Sequence, residues 1–172
     1  VGLGYWGPNL VRNFLKFIDK NNLILCDKDA EKLKKIASQY SISNCEQKYD
    51  NLLRNEDIEA IVICTPAETH YELSKKAISS KKSILVEKPL TISSKEAREL
   101  VELAQKNNVL IMTDLTYLYN PAVLSINNLI KSKEFGKINY INSTRINLGI
   151  FRKDVNVLWD LLCHDISIIN FL

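Results

Sequence analysis

Apolar positions along the first two-thirds of the chain alternate between two rhythms. Leu10, Val11, Phe14 and Phe17 recur at helical spacing, and Leu23-Ile24-Leu25-Cys26 then runs unbroken, as a short buried strand does. Leu33, Ile36 and Ala37 mark a helix over about 29–40, and a weakly patterned stretch around Cys45 leads to a short helix near 50–54. Ala60-Ile61-Val62-Ile63-Cys64 predicts a strand, 71–80 a helix and 83–86 another strand. Ser93, with Glu96 three residues on, has the spacing of a capping box and opens a helix to about Asn107, before a last strand over 109–112. Strands without polar alternation, separated by helices, predict a parallel sheet covered on both faces. This is a doubly wound α/β domain spanning residues 1–115.

The pattern changes after Leu115. A helix over about 121–131 is followed by Ile138-Asn139-Tyr140-Ile141-Asn142-Ser143-Thr144-Arg145-Ile146, which is β-rich and partly alternating, as in an antiparallel strand. Residues 159–172 read as helical. Residues 116–172 therefore predict the start of a second, α+β open-sheet domain.

The chain opens with Gly2-x-Gly4-x-x-Gly7. In a Rossmann-type unit the first Gly makes the tight turn, the second lets the backbone approach a pyrophosphate, and the third permits close helix–strand packing. Pro8 suits the first turn of the helix that follows. Asp27 closes the second strand 20 residues beyond Gly7, where a carboxylate binds a ribose 2′-hydroxyl and repels a 2′-phosphate. The expected cofactor is NAD; the competing reading is a glycine turn and an ordinary strand-end Asp. Only Val1 stands for the first, central strand, so a chain cut at both ends is expected. Without that strand the 172 residues alone are expected to bind NAD poorly.

Composition changes this picture little. The net charge of +3, from 23 basic and 20 acidic residues, gives no reason to expect a nucleic-acid or membrane partner. No apolar run reaches the roughly 18 residues of a membrane span. Cys26, Cys45, Cys64 and Cys163 lack metal-ligand spacing and read as buried, reduced thiols of a cytoplasmic protein, with no metal expected.

Two further segments carry chemistry. Ile84-Leu85-Val86-Glu87-Lys88-Pro89 sets a Glu-Lys pair at the carboxyl end of a strand, where ligands bind in open α/β sheets. Lys88 there could hydrogen-bond a substrate hydroxyl; from local sequence alone a surface lysine fits equally well. Asp160 and His164, at i,i+4 on a helix, share one face, so the carboxylate could orient the imidazole and raise its basicity. A plain surface pair also has this spacing. Asp165 lies about 100° further round and reads as structural.

The ordered set of Gly2-x-Gly4-x-x-Gly7, Thr65-Pro66 with His70, Glu87-Lys88-Pro89 and Asp160-x-x-x-His164 resembles the glucose–fructose oxidoreductase/inositol dehydrogenase (Gfo/Idh/MocA) family over essentially the whole chain. The resemblance implies NAD-dependent oxidation or reduction of sugar and polyol carbons by a chain about twice as long. It implies catalytic roles for Lys88, Asp160 and His164. Cofactor contacts are implied at Gly2, Gly4, Tyr5, Trp6, Gly7, Asp27, Thr65, Pro66, His70 and Glu87.

Gly4-Tyr5-Trp6-Gly7-Pro8-Asn9, Tyr119-Asn120-Pro121-Ala122-Val123, Ser143-Thr144-Arg145-Ile146-Asn147-Leu148-Gly149 and the segment from Arg152 to Asp160 are similar to a narrower branch. That branch holds UDP-N-acetylglucosamine and UDP-N-acetylglucosaminuronate 3-dehydrogenases of surface-polysaccharide biosynthesis. It implies a nucleotide-sugar substrate met by Arg145, Asn147, Arg152 and Asn156, and a homodimer or homotetramer. Arginine suits the phosphate and carboxylate of such a ligand. Leu115 departs from the branch, where many members carry a His. A free sugar or polyol dehydrogenase of the inositol type and a non-catalytic NAD-binding subunit are the alternatives.

Overall fold

The computed structural model describes residues 1–133, 136–146 and 156–172. Its strands are β1 (Leu25–Cys26), β2 (Cys45–Glu46), β3 (Ala60–Ile63), β4 (Ser83–Glu87) and β5 (Ile111–Asp114). β1 pairs with β2, and β3, β4 and β5 pair in that order, all in parallel. Val1 and Gly2 join the two sets. The Gly2 N–H donates to the Cys26 carbonyl at 2.9 Å on one side, and the Cys64 N–H donates to the Val1 carbonyl at 2.8 Å on the other. The order across the molecule is therefore β2, β1, Val1–Gly2, β3, β4, β5. The glycine turn leaves the sheet where the order reverses, which in open α/β folds is where ligands bind.

The helices of this part are α1 (Gly7–Phe14), α2 (Ala30–Tyr40), α3 (Tyr49–Arg54), α4 (His70–Ser79) and α5 (Ser94–Asn107). Ile63 and Val86 from the sheet and Ile78 and Leu100 from α4 and α5 are wholly buried in one cluster. Leu3, Val11, Leu25, Leu33, Ile36 and Ile42 form a second cluster beneath α1 and α2. Each such side chain contributes roughly 1.5–3 kcal/mol relative to exposure. This rigid layer presents every strand's carboxyl end to one side.

Several expectations are corrected. Helix α1 ends at Phe14, and Phe17 is 85% exposed beyond it. The weakly patterned stretch at Cys45 is a strand, because Leu25 and Cys26 supply its ladder. β5 lies two residues later than predicted, its register set by Ile84 opposite Ile111. Ser93 occupies the N-cap of α5 without capping it; Thr91 Oγ1 instead donates to the Ser93 carbonyl and accepts from its N–H. Cys26 is buried, but Cys45 is exposed.

Residues 116–119 form a 3-10 turn that leads into α6 (Pro121–Lys131), where Asn120 Oδ1 accepts from the Ala122 N–H. The predicted strand over 138–146 is not formed. Its described residues pair with no strand, and Tyr140 and Ile146 are 85% and 91% exposed. β-rich pattern alone does not make a strand without a ladder partner. A π-helical turn (Leu158–Leu162) continues into α7 (Cys163–Phe171). Among the described residues no helix is long and apolar enough to cross a membrane, and no cluster of three metal-ligating side chains occurs.

Candidate active site

The three glycines of the opening turn are needed for different reasons. Gly2 has φ +84, and a Cβ there would lie 2.8 Å from the carbonyl carbon and oxygen of Cys64. A Cβ on Gly7 would run into the Gly2 carbonyl oxygen. Both positions are therefore fixed by the chain's packing against itself. Gly4 differs, since a Cβ there would meet nothing within 4 Å. No contact among the described residues requires glycine at position 4; a backbone kept bare towards the start of α1 suits an approaching phosphate. The turn thus fits a dinucleotide pyrophosphate. Tyr5 and Trp6 flank it as an exposed stacked pair, ring centroids 6.1 Å apart. Asp27 sits against the same turn: Oδ2 accepts from the Leu3 N–H at 2.6 Å and Oδ1 from the Asp29 N–H at 2.9 Å.

Thr65 and Pro66 follow β3 beside the glycine turn, and Thr69 Oγ1 donates to Thr65 Oγ1. His70 is placed otherwise than a cofactor contact requires. It is 1% exposed, with Nδ1 2.7 Å from the Pro89 carbonyl and Nε2 2.8 Å from the Thr65 carbonyl. Both ring nitrogens face backbone carbonyls, so His70 ties the loop after β3 to the loop bearing Lys88.

At the end of β4, Glu87 lies in register with Asp114 of β5. Burial, and then the neighbouring Asp114 carboxyl, push the Glu87 carboxyl up to about 7; burial also raises Asp114. Glu87 Oε1 is buried without a hydrogen-bond partner among the described residues. On the other side Cys64 is pushed up to about 12 by burial and stays a thiol. Asp114 was not singled out in the sequence, because the predicted strand ended two residues before it. With the observed register, the strand-end rule that selects Glu87 selects Asp114 too.

Lys88 reaches across to the π-helical turn. Its Nζ donates to Asp160 Oδ1 at 2.6 Å and to the Asp160 carbonyl at 2.7 Å, in a pair 16% and 19% exposed. The expected Asp160–His164 hydrogen bond is therefore replaced by an Asp160–Lys88 one. The wider hydrogen-bond spacing of a π turn, a feature frequent at functional sites, alters the i,i+4 geometry assumed from sequence.

His164 is 8% exposed, and its Nδ1 is buried with no hydrogen-bond partner among the described residues. Burial, and then the Lys88 and Arg145 cations, push the imidazole down to about 4. This reverses the expectation of raised basicity and leaves the ring neutral near pH 7. The ring lies against Tyr117, centroids 4.8 Å apart and tilted by 59°. Nothing in the sequence marked Tyr117; a 3-10 turn after the last strand of the sheet is the signal that could have.

The substrate-binding expectations divide. Arg145 Nε donates to Asp165 Oδ2 at 2.6 Å, so its charge is met within the protein rather than kept for an anion. Asn156 Oδ1 accepts from the N–H groups of Leu158 and Trp159, capping the helical turn instead of facing a ligand. Asn147 and Arg152, with Lys153, lie outside the described residues.

Comparison with known proteins gives the chain's relatives. Two curated relatives match across the whole chain: an uncharacterized oxidoreductase, YrbE, of Bacillus subtilis, at 25% identity and covering 52% of that protein, and inositol 2-dehydrogenase of Salmonella typhimurium, at 22% and 53%. The chain thus spans about half the length of the curated relatives it matches. Among solved structures, GenD2 from gentamicin A biosynthesis, in complex with NAD, matches 77% of this chain and 38% of its own, with a TM-score of 0.71 and 24% identity. The model of the Gfo/Idh/MocA oxidoreductase family, NAD-binding Rossmann fold, matches residues 1–115, and the chain belongs to that family.

Proposed function

We propose that this chain carries the cofactor site and the reacting groups of an NAD-dependent dehydrogenase. The substrate we propose is a nucleotide-activated hexose oxidised at C3, for surface-polysaccharide sugar biosynthesis. The observation that supports catalysis most directly is the meeting of Lys88 with the π-helical turn, next to a buried imidazole whose Nδ1 has no partner among the described residues. The glycine turn and Asp27 would hold the dinucleotide, and bound NAD would supply the hydride acceptor.

The chain's own groups handle the proton. Neutral His164 accepts the hydroxyl proton as the C–H hydride departs, forming the ketone. An imidazole of low basicity then passes that proton on to water instead of retaining it. Lys88 donates to the same oxygen and stabilises the charge that develops there. Asp160 fixes the lysine through its carboxylate and carbonyl. The whole protein acts in the cytoplasm as a homodimer or homotetramer.

The nucleotide-sugar choice is supported by the likeness of Gly4–Asn9, Tyr119–Val123 and Ser143–Gly149 to that branch. A polyol reading is favoured by the match to inositol 2-dehydrogenase of Salmonella typhimurium. The test is NADH formation by the whole protein offered UDP-N-acetylglucosamine, its uronate or myo-inositol. Turnover of a nucleotide sugar alone is the expected result. Turnover of inositol alone would replace the substrate class, and NAD binding without any turnover would leave a non-catalytic subunit.

A further inference from the structure

The group that fixes the His164 ring is not the one its sequence spacing suggests. A proton-transferring imidazole commonly has one nitrogen bonded to a carboxylate or carbonyl, which sets the ring's plane and tautomer. Here Nδ1 is buried and bonds nothing among the described residues, and the Asp160 carboxylate is taken by Lys88. The ring instead lies against Tyr117.

Tyr117 is itself held. Arg145 Cζ lies 4.7 Å from the Tyr117 ring centroid, and Arg145 Nη1 donates to the phenol oxygen at 3.3 Å. Arg145 Nε is locked by Asp165 Oδ2, while Ser143 Oγ donates to Asp165 Oδ1 at 2.6 Å. Asp165 is 11% exposed, and these two bonds hold its carboxyl below the usual range although burial opposes them. The set draws on the 3-10 turn after β5, the 136–146 segment and α7, so it bridges residues far apart in the chain.

We propose that Tyr117, backed by the Arg145–Asp165 ion pair, is the positioning residue for His164. It stands in for the hydrogen-bonded orienting group and fixes the plane of the ring. Among the described residues, four charged groups act on the imidazole: Lys88 after β4, Arg145 in the 136–146 segment, Asp165 on α7 and Asp160 on the π turn. The two cations oppose its protonation and the two carboxylates favour it, while burial opposes it most. Arg145 thus has two effects, steadying the phenol and keeping the ring neutral. This inference rests on the proposed dehydrogenase reading, but part of its test does not need turnover.

The test uses the whole protein and its Y117F, Y117L and R145M variants. The first readout is the His164 titration midpoint by NMR without ligand, assigned with H164N. R145M should move it upward, because a cation is removed and Asp165 loses its ion pair. The second is steady-state kinetics with the best substrate of the panel above. Y117L should lower kcat by about 10²-fold, the cost of misplacing a reacting group, with KM within about twofold. Y117F, which keeps the ring, should restore most of that loss. R145M should shift the acid limb of the kcat profile upward with the midpoint.

A Y117L enzyme with wild-type kcat, or an R145M midpoint unmoved from wild type, would overturn the inference. If Y117L does not fold, the R145M midpoint decides. A wild-type protein that turns over nothing, yet shows the R145M shift, would sink the dehydrogenase reading while supporting the arrangement around the imidazole.

Discussion

Residues 1–115 and 116–172 bury different things. In the first region the wholly buried side chains are mostly apolar: Ile63, Ile78, Val86 and Leu100 close one core between sheet and helices. In the second, α6 buries Val123 and Asn127, α7 buries His164 and Asp165, and Leu124, Ile126, Leu129, Ile166 and Ile169 stay exposed. The first region is a scaffold stabilised by apolar burial. For the second, Lys88 to Asp160 ties it to the scaffold, while Arg145 to Tyr117 and Tyr117 to His164 hold its own segments together. The reacting groups therefore lie across the join, one on a strand end of the scaffold and the others on the helix that docks there. A site assembled this way depends on the scaffold for rigidity and on a few charged pairs for its geometry.

The sharpest way to break this contrast is at the glycine turn. Gly7→Ala places a methyl into the Gly2 carbonyl and should abolish cooperative thermal unfolding. Gly4→Ala, which meets nothing, should leave the melting temperature unchanged while weakening NAD binding at least about tenfold, or about 1.4 kcal/mol, by titration calorimetry. Equal loss of fold in both would remove the distinction between packing and ligand glycines.

Lys88→Ala acts at the join. It should cut turnover by roughly 10²–10⁴ while NAD affinity stays within about threefold. A parallel fall in NAD affinity would move Lys88 from the chemistry to the cofactor site. Next, Ile63→Ala in the scaffold should cost about 2–5 kcal/mol in denaturant unfolding, against less than about 0.5 kcal/mol for Leu124→Ala on α6. Comparable losses would mean that the second region is also held by apolar packing in the whole protein.

The smallest effect is a pair of opposed pH slopes. His164 is depressed from 6.5 to about 4, so the stability it contributes is complete above 6.5 and lost as pH falls towards 4. Glu87 is raised from 4.5 to about 7, so its contribution is present below 4.5 and lost as pH rises through 7. The two largely offset each other between these limits. E87Q should therefore show stability rising with pH over 4–6.5, and H164N should show it falling over 4.5–7, both read from melting temperature against pH. Flat profiles in both variants would contradict these shifts.

Much of the first region was legible because its elements obey local rules. Unbroken apolar runs marked β3 and β4, and the Gly2-x-Gly4-x-x-Gly7 spacing marked the turn without any knowledge of what packs on it. What escaped was whatever depends on a partner. β2 is two residues long and exists because β1 offers it a ladder, whereas Tyr140 and Ile146 lie in a β-rich segment that has none among the described residues. The same division runs through the site. Lys88, Asp160 and His164 stood out by residue type and spacing, but their pairing did not.

By itself, then, the sequence determined the alternation of strands and helices, the glycine turn, and which side chains are equipped for proton transfer. These follow from periodicity and residue chemistry, which act over a few neighbouring positions. Only the tertiary structure decided that Asp160 binds Lys88 and not His164, that both His70 nitrogens face carbonyls, and that Arg145 meets Asp165 behind Tyr117. Lys88 and Asp160 are 72 residues apart in the chain. Contacts at that separation are set by how the layers pack, and the basicity of a buried imidazole is set by which charges the packing brings beside it.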